Sequence, residues 1–291
     1  MIDVINLWKS YGNNRVLIGA NLKVYEGDIF GLIGINGAGK STLLRLLSGV
    51  MKADRGEILI DGEEVYENGR VKKNIFFLPD DPYYTINLTG NQQAAFYKTF
   101  YDFDDEVFKY YTDKFSLNPN KPIRNFSKGM KRQIFISLAL ACRPKYLFLD
   151  EAFDGLDPLA RLEFKRGLIE LQEKGTSVII ASHSLRELED IIDSFALIDG
   201  RTVKAYGKVD GELSKLSKFQ LVFERNVERE ELPFKCIHFE KTGRVIKIVV
   251  RGDMEKTRAK IDEMHPLIVD EIPMDFEDLF IYEVGERGYI K

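Results

Sequence analysis

The feature that most constrains the fold is a glycine-rich loop that joins an apolar segment to a helical one. The apolar segment DIFGLI (28–33) predicts a buried β-strand, and STLLRLLSG (41–49) predicts a helix. At their junction GINGAGKST (34–42) fits the pattern G-x-x-x-x-G-K-[ST] completely. In this pattern, backbone N–H groups and a helix N-terminus cradle phosphate oxygens. The sequence therefore predicts a strand–loop–helix unit that binds the phosphates of a nucleotide.

The residue types in this loop predict how the phosphates are held. Gly34, Gly37 and Gly39 lack a Cβ, so the backbone can approach phosphate oxygens closely. Lys40 is expected to reach the β- and γ-phosphates as a catalytic cation, and Ser41 to ligate Mg²⁺ through its hydroxyl. The predicted nucleotide-binding residues of the loop are Gly34, Ile35, Asn36, Gly37, Ala38, Gly39, Lys40, Ser41 and Thr42.

Two adjacent carboxylates end a second apolar segment, YLFLDE (146–151). Asp150 would lie at the end of a strand, where it can hold Mg²⁺, and Glu151 could orient or deprotonate the attacking water. By itself, such a pair at a strand end is commonly just a turn. Together with the phosphate loop it predicts a site that hydrolyses a nucleoside triphosphate, with Glu151 as its catalytic carboxylate.

Short apolar segments alternate with helical ones over most of the chain. Strand-like segments, among them NLKVYEGD (21–28), occur within residues 1–80 and return at YLFLD (146–150), SVIIAS (177–182) and FALIDG (195–200). Between about 85 and 142 the pattern is helical. Strands that alternate with helices predict a mostly parallel sheet covered on both faces. We therefore predict an α/β core that is interrupted by a helical insert.

The pattern changes again after Gly207. Three strand-like segments, a helix and another short strand predict a separate small α+β domain over residues 209–291, after a first domain of residues 1–208. The strand-like segments and the helix are FQLVFERN, CIHFEKTG, RVIKIVVRG and MEKTRAKIDEMH. Seven acids and no base lie between Asp270 and Glu286, which we interpret as a solvated face.

Composition excludes several classes of function. The net charge of −4 argues against a general nucleic-acid binder, and no apolar run approaches the ~18 residues that span a bilayer. The chain has two distant cysteines, Cys142 and Cys236, and three histidines, so a zinc site is not expected. Buried, reduced thiols in a cytosolic protein are the expectation instead.

A series of short motifs follows the order that is typical of one protein family. KSYG (9–12) precedes the phosphate loop, and LFLDE (147–151), GLD (155–157) and ASHS (181–184) come after it. In this order the motifs resemble those of the ABC (ATP-binding cassette) ATPases, and the similarity covers residues 1–208. The phosphate loop would be their Walker A motif and LFLDE their Walker B motif.

The resemblance implies roles for three more residues. Tyr11 would stack on adenine, Asp157 would be the D-loop aspartate beside the nucleotide, and His183 would be the catalytic switch histidine. Alone, Tyr11 and His183 would be an ordinary tyrosine and an ordinary core histidine, but their place in the ordered series favours these roles. The implied cofactors are ATP and Mg²⁺. The implied fold is a P-loop NTPase core with an antiparallel β subdomain and the helical insert.

The segment RNFSKGMKRQ (124–133) takes the place of the family signature, usually LSGGQ. Ser127 predicts a helix N-cap, which points a positive helix end at an anion. The resemblance implies that Ser127 and Gly129 contact, in trans, the γ-phosphate of ATP held by the other subunit of a dimer. Lys128 and Met130 depart from the family pattern.

A second departure lies in LPDDP (78–82), where relatives often have LPQ. Asp80 stands in place of the glutamine. Because a carboxylate can ligate Mg²⁺, we predict Asp80 as a metal ligand together with Ser41 and Asp150.

The resemblance implies an ATP-hydrolysing subunit of an ABC transporter that works as a head-to-tail dimer, homomeric or heteromeric, on the cytoplasmic face of the membrane. It would drive a separate transmembrane permease. A single cassette with an extra C-terminal domain and the tail PMDFEDLFIYEVGERG (273–288) resembles ABC-2-type exporters, among them bacterial exporters of antimicrobial peptides. The extra domain would regulate or stabilise the dimer.

Alternatives from other classes stay open. An importer ATPase would more often keep LPQ and LSGGQ intact. A soluble ABC protein of translation would usually have two cassettes, and one of DNA repair a long coiled-coil insertion. A nucleotide-binding module with little turnover is favoured by Lys128 and Asp80, and disfavoured by Glu151 and His183.

Overall fold

The chain folds as two units that divide two residues before the boundary predicted from the sequence. A computed structural model, which describes residues 1–276, 278, 281 and 282, divides the chain between Tyr206 and Gly207. The side chains of residues 204–206, 210 and 212 lie outside this description. Most of the acidic tail that was predicted to resemble exporter subunits, residues 273–288, also lies outside the described residues.

The first unit contains both sheets of the predicted cassette. Its strands, the last of which runs past the division, are β1 (Ile2–Tyr11), β2 (Asn14–Val24), β3 (Ile29–Ile33), β4 (Arg55–Ile60), β5 (Glu63–Glu64), β6 (Ile75–Leu78), β7 (Tyr146–Asp150), β8 (Ser177–Ser182), β9 (Ser194–Asp199) and β10 (Thr202–Lys208). Its helices are α1 (Lys40–Leu47), α2 (Gly69–Lys72), α3 (Gly90–Tyr97), α4 (Asp105–Lys114), α5 (Lys128–Ala141), α6 (Pro158–Glu173) and α7 (Leu185–Leu188).

The larger sheet has six strands in the order β10-β9-β3-β8-β7-β6. β9, β3, β8, β7 and β6 pair in parallel, and every residue of β3, β7, β8 and β9 is buried. Strands buried on both faces have continuous apolar sequences, as these segments do. Because the carboxyl ends of parallel strands meet at one edge, the residues that follow β3, β6, β7 and β8 are brought together there.

The smaller sheet is antiparallel, in the order β2-β1-β4-β5, and forms the predicted β subdomain. Tyr11 ends β1 and pairs with Asn14 across the β1–β2 turn. The inward side chains of this sheet share one buried cluster with α1 and with one face of the larger sheet, including Leu17, Leu44 and Phe30. This shared cluster fixes the phosphate loop between the two sheets.

The helical insert consists of α3, α4 and α5, within the range predicted for it. α5 is the central helix, because it packs against α3, α4, α6 and β6. Several aromatic residues of the insert pack as the sequence pattern predicts: Tyr97 contacts Phe76 edge to face, and Phe108 and Tyr111 are buried. Phe96 and Phe100 are exposed instead.

The second unit contains a four-stranded antiparallel sheet and a nine-residue helix. Its elements are α8 (Val209–Leu213), β11 (Leu216–Val222), β12 (His238–Thr242), β13 (Val245–Arg251), α9 (Met254–Asp262) and β14 (Ile268–Ile272). The strand order is β12-β13-β11-β14. Phe219, Ile248 and Ile261 belong to a buried cluster made only of residues from this unit. The predicted α+β composition of this part of the chain is therefore present.

Candidate active site

The three glycines of the phosphate loop are required for two structural reasons, an unusual φ angle and a close backbone contact. Gly37 and Gly39 have φ angles of +80° and +110°, which L side chains rarely adopt. A Cβ on Gly34 would lie 2.6 Å from the backbone oxygen of Ile198. No side chain among the described residues caps α1, which begins within the loop at Lys40. The first-turn N–H groups of α1 are therefore suited to bind an anion.

Lys40 lies over this loop and is almost fully buried, with 5% of its surface exposed. Its Nζ donates a hydrogen bond to the backbone oxygen of Gly34 at 2.7 Å and lies 3.4 Å from that of Ile35. It also lies 3.5 Å from Oε1 of Glu151. The ammonium group is thus held at the loop, where it can make charge-assisted bonds to phosphate oxygens.

The hydroxyl of Ser41, a residue of the loop, and the carboxylate of Asp150 offer neighbouring oxygen atoms to a metal ion. The Ser41 hydroxyl donates to Oδ1 of Asp150 at 2.9 Å. Burial raises the pKa of Asp150, and the Ser41 hydrogen bond partly opposes this shift. A cation at this position would offset the cost of burying the ionised carboxylate, and Mg²⁺ prefers such oxygen ligands. The two residues therefore fit a magnesium ion, which would neutralise charge on the phosphates.

Glu151 is held between the other two residues that were predicted to be catalytic. Its Oε2 accepts a hydrogen bond from the backbone N–H of His183 at 3.3 Å and lies 2.9 Å from the His183 Nδ1. The Glu151 φ angle of +47° is unusual for a residue with a side chain, and such backbone strain is often found at active sites. The sequence reasoning missed Asp154. One of its carboxylate oxygens lies within 4.8 Å of a carboxylate oxygen of Glu151 and of a ring nitrogen of His183. Lys40, Glu151 and His183 thus form one continuous chain of contacts.

Asp80 contacts an arginine of α5. Arg132 donates to Oδ1 of Asp80 at 2.6 Å, to its backbone oxygen at 2.7 Å and to the backbone oxygen of Pro79 at 3.2 Å. The charge of Asp80 also contributes to the raised pKa of Asp150. The sequence reasoning did not find Arg132, although it lies in the quoted segment RNFSKGMKRQ. Asp80 as a metal ligand stays a prediction.

The remaining predicted residues lie on other elements. Tyr11 is 44% exposed, and its hydroxyl contacts the Met51 Sδ at 3.3 Å. Ser127 caps α5 as predicted, because its hydroxyl oxygen accepts from the Met130 N–H at 3.2 Å. Asp157 caps α6, because its Oδ1 accepts hydrogen bonds from the backbone N–H groups of Leu159 and Ala160, both at 3.0 Å. The role of Asp157 beside the nucleotide stays a prediction.

Gly129 brings the first turn of α5 close to the segment before α6. A Cβ on Gly129 would lie 2.8 Å from the backbone oxygen of Gly155. Only glycine allows this approach, so the signature segment and the D-loop of one chain are packed together. No contact among the described residues joins Ser127 or Gly129 to the phosphate loop of the same chain.

Comparison with known proteins agrees with this geometry. A family model described as ABC transporter matches residues 17–154. The chain is 29% identical over 290 residues to the ABC transporter ATP-binding protein YtrB of Bacillus subtilis, covering 99% of both chains. It is 30% identical over 229 residues to the lantibiotic transport ATP-binding protein SrtF of Streptococcus pyogenes, covering 77% of this chain and 99% of that one.

A solved structure is similar as well. It is described as the ATP-binding subunit of an ABC transporter, with a TM-score of 0.68 and 28% identity over 74% of this chain and 92% of that one. The fold, the site and these matches define an ABC-type nucleotide-binding domain, and the chain belongs to the ABC transporter family. Within that family it is an ATP-binding and ATP-hydrolysing subunit, which confirms the prediction from the motifs. Among the described residues, no helix combines the length and apolar character needed to cross a membrane.

Proposed function

We propose that this chain is the ATPase subunit of an exporter and acts as a head-to-tail dimer. Each composite site would contain the phosphate loop and Glu151 of one chain and the Ser127 end of α5 from the other. The observation that carries this proposal is the separation of functions within one chain. Lys40, Ser41 and Glu151 make contacts at or beside the phosphate loop. Within the part of the chain that the structure describes, the contacts of Ser127 and Gly129 are to the first turn of α5 and to Gly155.

Mg²⁺ would be held by the Ser41 hydroxyl and the Asp150 carboxylate, with Asp80 as a second carboxylate beside them. Binding of Mg²⁺ and ATP would close the dimer, and hydrolysis would release it. The dimer would act on a separate transmembrane permease and would lie at the cytoplasmic face of the membrane through that partner. The second unit would regulate or stabilise the dimer.

Export of a peptide is supported by resemblance. The LPDDP and FSKGM motifs resemble those of bacterial exporters of antimicrobial or amphipathic peptides, and one relative is named for lantibiotic transport. The direction of transport can be measured by co-purifying the permease and reconstituting both subunits in vesicles. ATP-driven movement of an amphipathic peptide away from the ATPase side is expected. Movement toward that side would favour the importer alternative.

Mixing two inactive variants tests the composite site. In a mixed dimer of Ser127→Ala and Lys40→Ala chains, both lesions lie in one site and the other site is intact. Random pairing should therefore restore about a quarter of the parental ATP turnover, since half of the dimers are mixed and each has one intact site.

A matched control mixes Lys40→Ala with Glu151→Gln. Both lesions then lie on the phosphate-loop side, so every site in the mixed dimer stays damaged and no turnover should return. If Ser127→Ala and Lys40→Ala chains also show no recovery on mixing, each chain has a complete site of its own. If the parent chain binds ATP without hydrolysing it, the alternative of a nucleotide-binding module is correct.

A further inference from the structure

Arg132 is a buried cation whose hydrogen bonds converge on the segment that follows β6. Only 3% of its side chain is exposed, whereas the Asp80 side chain that it contacts is 56% exposed. Its guanidinium group binds two successive backbone oxygens, those of Pro79 and Asp80, as well as Oδ1 of Asp80. Three bonds from a planar, rigid group fix both the position of this segment and the orientation of the carboxylate.

Two further contacts attach the same segment to α5. The Nζ of Lys131 lies 5.3 Å from the centre of the Tyr84 ring. The Tyr84 ring in turn lies 6.0 Å from that of Phe135. The segment Asp80–Tyr84 therefore lies along α5 and is held by an ion pair, a cation–π contact and an aromatic pair. Movement of this segment and movement of α5 are coupled by these contacts.

Asp80 lies at the same edge of the larger sheet as Asp150, because it follows Leu78 of β6 by two residues and Leu78 pairs with Leu149 of β7. A second carboxylate beside Asp150 would favour a cation bound there. The contact with Arg132 uses Oδ1 and the backbone oxygen of Asp80, so the pair does not require Oδ2.

We propose that Arg132 is a positioning residue that acts through Asp80. It holds the Asp80 carboxylate in place beside the metal position at Ser41 and Asp150. It thereby connects that position to the helix whose first turn carries Ser127 and Gly129. This inference rests on the proposed magnesium site, and it assigns Arg132 the role of aligning a ligand that replaces the usual glutamine.

The sign of the change in Mg²⁺ affinity tests the proposal. All variants are made in the full-length Glu151→Gln chain, so that ATP is bound without being consumed. The readout is the Mg²⁺ concentration that half-saturates the effect of Mg²⁺ on binding of a fluorescent ATP analogue. Arg132→Gln should raise this concentration about tenfold, since the aligned carboxylate is lost. Binding of the analogue without Mg²⁺ should stay within about twofold of the parent.

If the loss of a positive charge were the only effect of Arg132→Gln, the half-saturating Mg²⁺ concentration would fall instead of rising. Lys131→Gln, the matched control, removes a neighbouring cation that contacts Tyr84 rather than Asp80, and should lower the half-saturating Mg²⁺ concentration slightly or leave it unchanged. If Arg132→Gln lowers it too, the arginine competes with the metal for Asp80 and the proposal is wrong. An unchanged concentration in Arg132→Gln would likewise overturn the proposal.

A double-mutant cycle tests whether Arg132 acts through Asp80. In an Asp80→Asn background, Arg132→Gln should change the half-saturating Mg²⁺ concentration less than twofold, because the aligned carboxylate is already absent. A full tenfold effect in that background would show that Arg132 changes Mg²⁺ affinity without Asp80, which would contradict the proposal. Arg132→Lys gives the same test if Arg132→Gln does not fold, since an ammonium group keeps the charge but cannot replace the guanidinium fork.

The parent chain separates failure of this inference from failure of the magnesium site. If Mg²⁺ does not change binding of the analogue to the parent chain, the proposed metal site is wrong and the inference fails with it. If the parent responds to Mg²⁺ and Ser41→Ala weakens that response, the site stands. An Arg132→Gln chain that then behaves like the parent refutes the inference alone.

Discussion

The carboxylate of Glu151 and the imidazole of His183 are in direct contact, with Oε2 2.9 Å from Nδ1. The backbone N–H of His183 donates to the same oxygen at 3.3 Å. The other carboxylate oxygen, Oε1, lies 3.5 Å from the Lys40 Nζ. Both oxygens of Glu151 are thus engaged, and the side chain is oriented by a residue that follows β8 and by one at the start of α1.

Glu151→Gln should separate ATP binding from hydrolysis. Glutamine has the same shape and can keep the contact with His183, but it cannot accept a proton from water. Because general-base catalysis contributes roughly 10²–10⁴-fold, turnover should fall by at least about a hundredfold. The dissociation constant for ATP should change only a few-fold. Phosphate release and binding of a fluorescent ATP analogue, measured on one preparation, check both. Turnover at the parental rate would remove Glu151 from the catalytic role.

Tyr11 should contribute to binding through its ring and not through its hydroxyl. It lies exposed at the β1–β2 turn, where adenine could stack on it, and such stacking is worth on the order of 1 kcal/mol. Tyr11→Ala should raise the ATP dissociation constant several-fold. Tyr11→Phe, which loses only the hydroxyl contact to Met51, should bind as the parent does. Equal affinity in the alanine variant would make Tyr11 an ordinary surface residue.

Much of the arrangement of the candidate site could be predicted from the sequence, because parts of it are local and others follow from a parallel sheet. The strand–loop–helix unit around Lys40 depends on contiguous residues, and the pattern of apolar strands predicts a parallel sheet. Such a sheet brings the ends of β7 and β8 together, so Glu151 and His183 meet as a consequence of topology. The N-cap role of Ser127 also follows from its position before a helix.

The contacts that sequence reasoning missed depend on packing between distant segments. Arg132 and Asp80 lie 52 residues apart, and their pairing requires α5 to pack beside the end of β6. The start of β2 was missed for a different reason. β2 begins at Asn14, whereas the sequence pattern suggested a strand from Asn21, because register shifts between β1 and β2 interrupt the alternation of apolar and polar residues.

The two thiols should be inert in the folded chain. Cys142 and Cys236 are both buried and free, and burial raises the pKa of Cys142 well above its usual range. Because the thiolate is the reactive form, iodoacetamide near pH 8 should leave Cys142 unmodified in the native protein. Both thiols should react in urea, as measured by intact mass. Equal rates of Cys142 alkylation with and without urea would contradict the burial.

Removal of the second unit should leave a functional ATP-binding cassette. A chain that ends at Lys208 keeps all of β10, and the apolar clusters of the two units share no residue. We expect cooperative unfolding and an ATP dissociation constant within about threefold of the parent, because the site residues lie before residue 184. ATP-dependent dimerisation of the Glu151→Gln form should change between the two lengths. A folded truncation that no longer binds ATP would refute the separation of roles.

Gly129→Ala should disturb the contact between α5 and the D-loop. The added Cβ would lie 2.8 Å from the backbone oxygen of Gly155, which is not part of a flexible side chain, so α5 or the D-loop has to shift. Alanine is a better helix former than glycine by roughly 1 kcal/mol, so α5 itself is not weakened. Binding of ATP by the monomer should stay unchanged, because Lys40 and Ser41 are not displaced. Dimerisation driven by ATP and the rate of hydrolysis should fall on the order of tenfold, which equals about 1.4 kcal/mol.

The matched control for this variant is Gly69→Ala. Gly69 is the first residue of α2, and Gly129 is the second residue of α5. A Cβ on Gly69 would meet no atom within 4 Å. This control should dimerise and hydrolyse ATP as the parent does, which separates the steric effect from the general effect of replacing a helical glycine. Sedimentation of the Glu151→Gln forms with ATP measures dimerisation, and phosphate release measures turnover. If Gly129→Ala matches the control in both assays, the close approach to Gly155 has no role in the composite site, and Gly129 serves only the packing of its own chain.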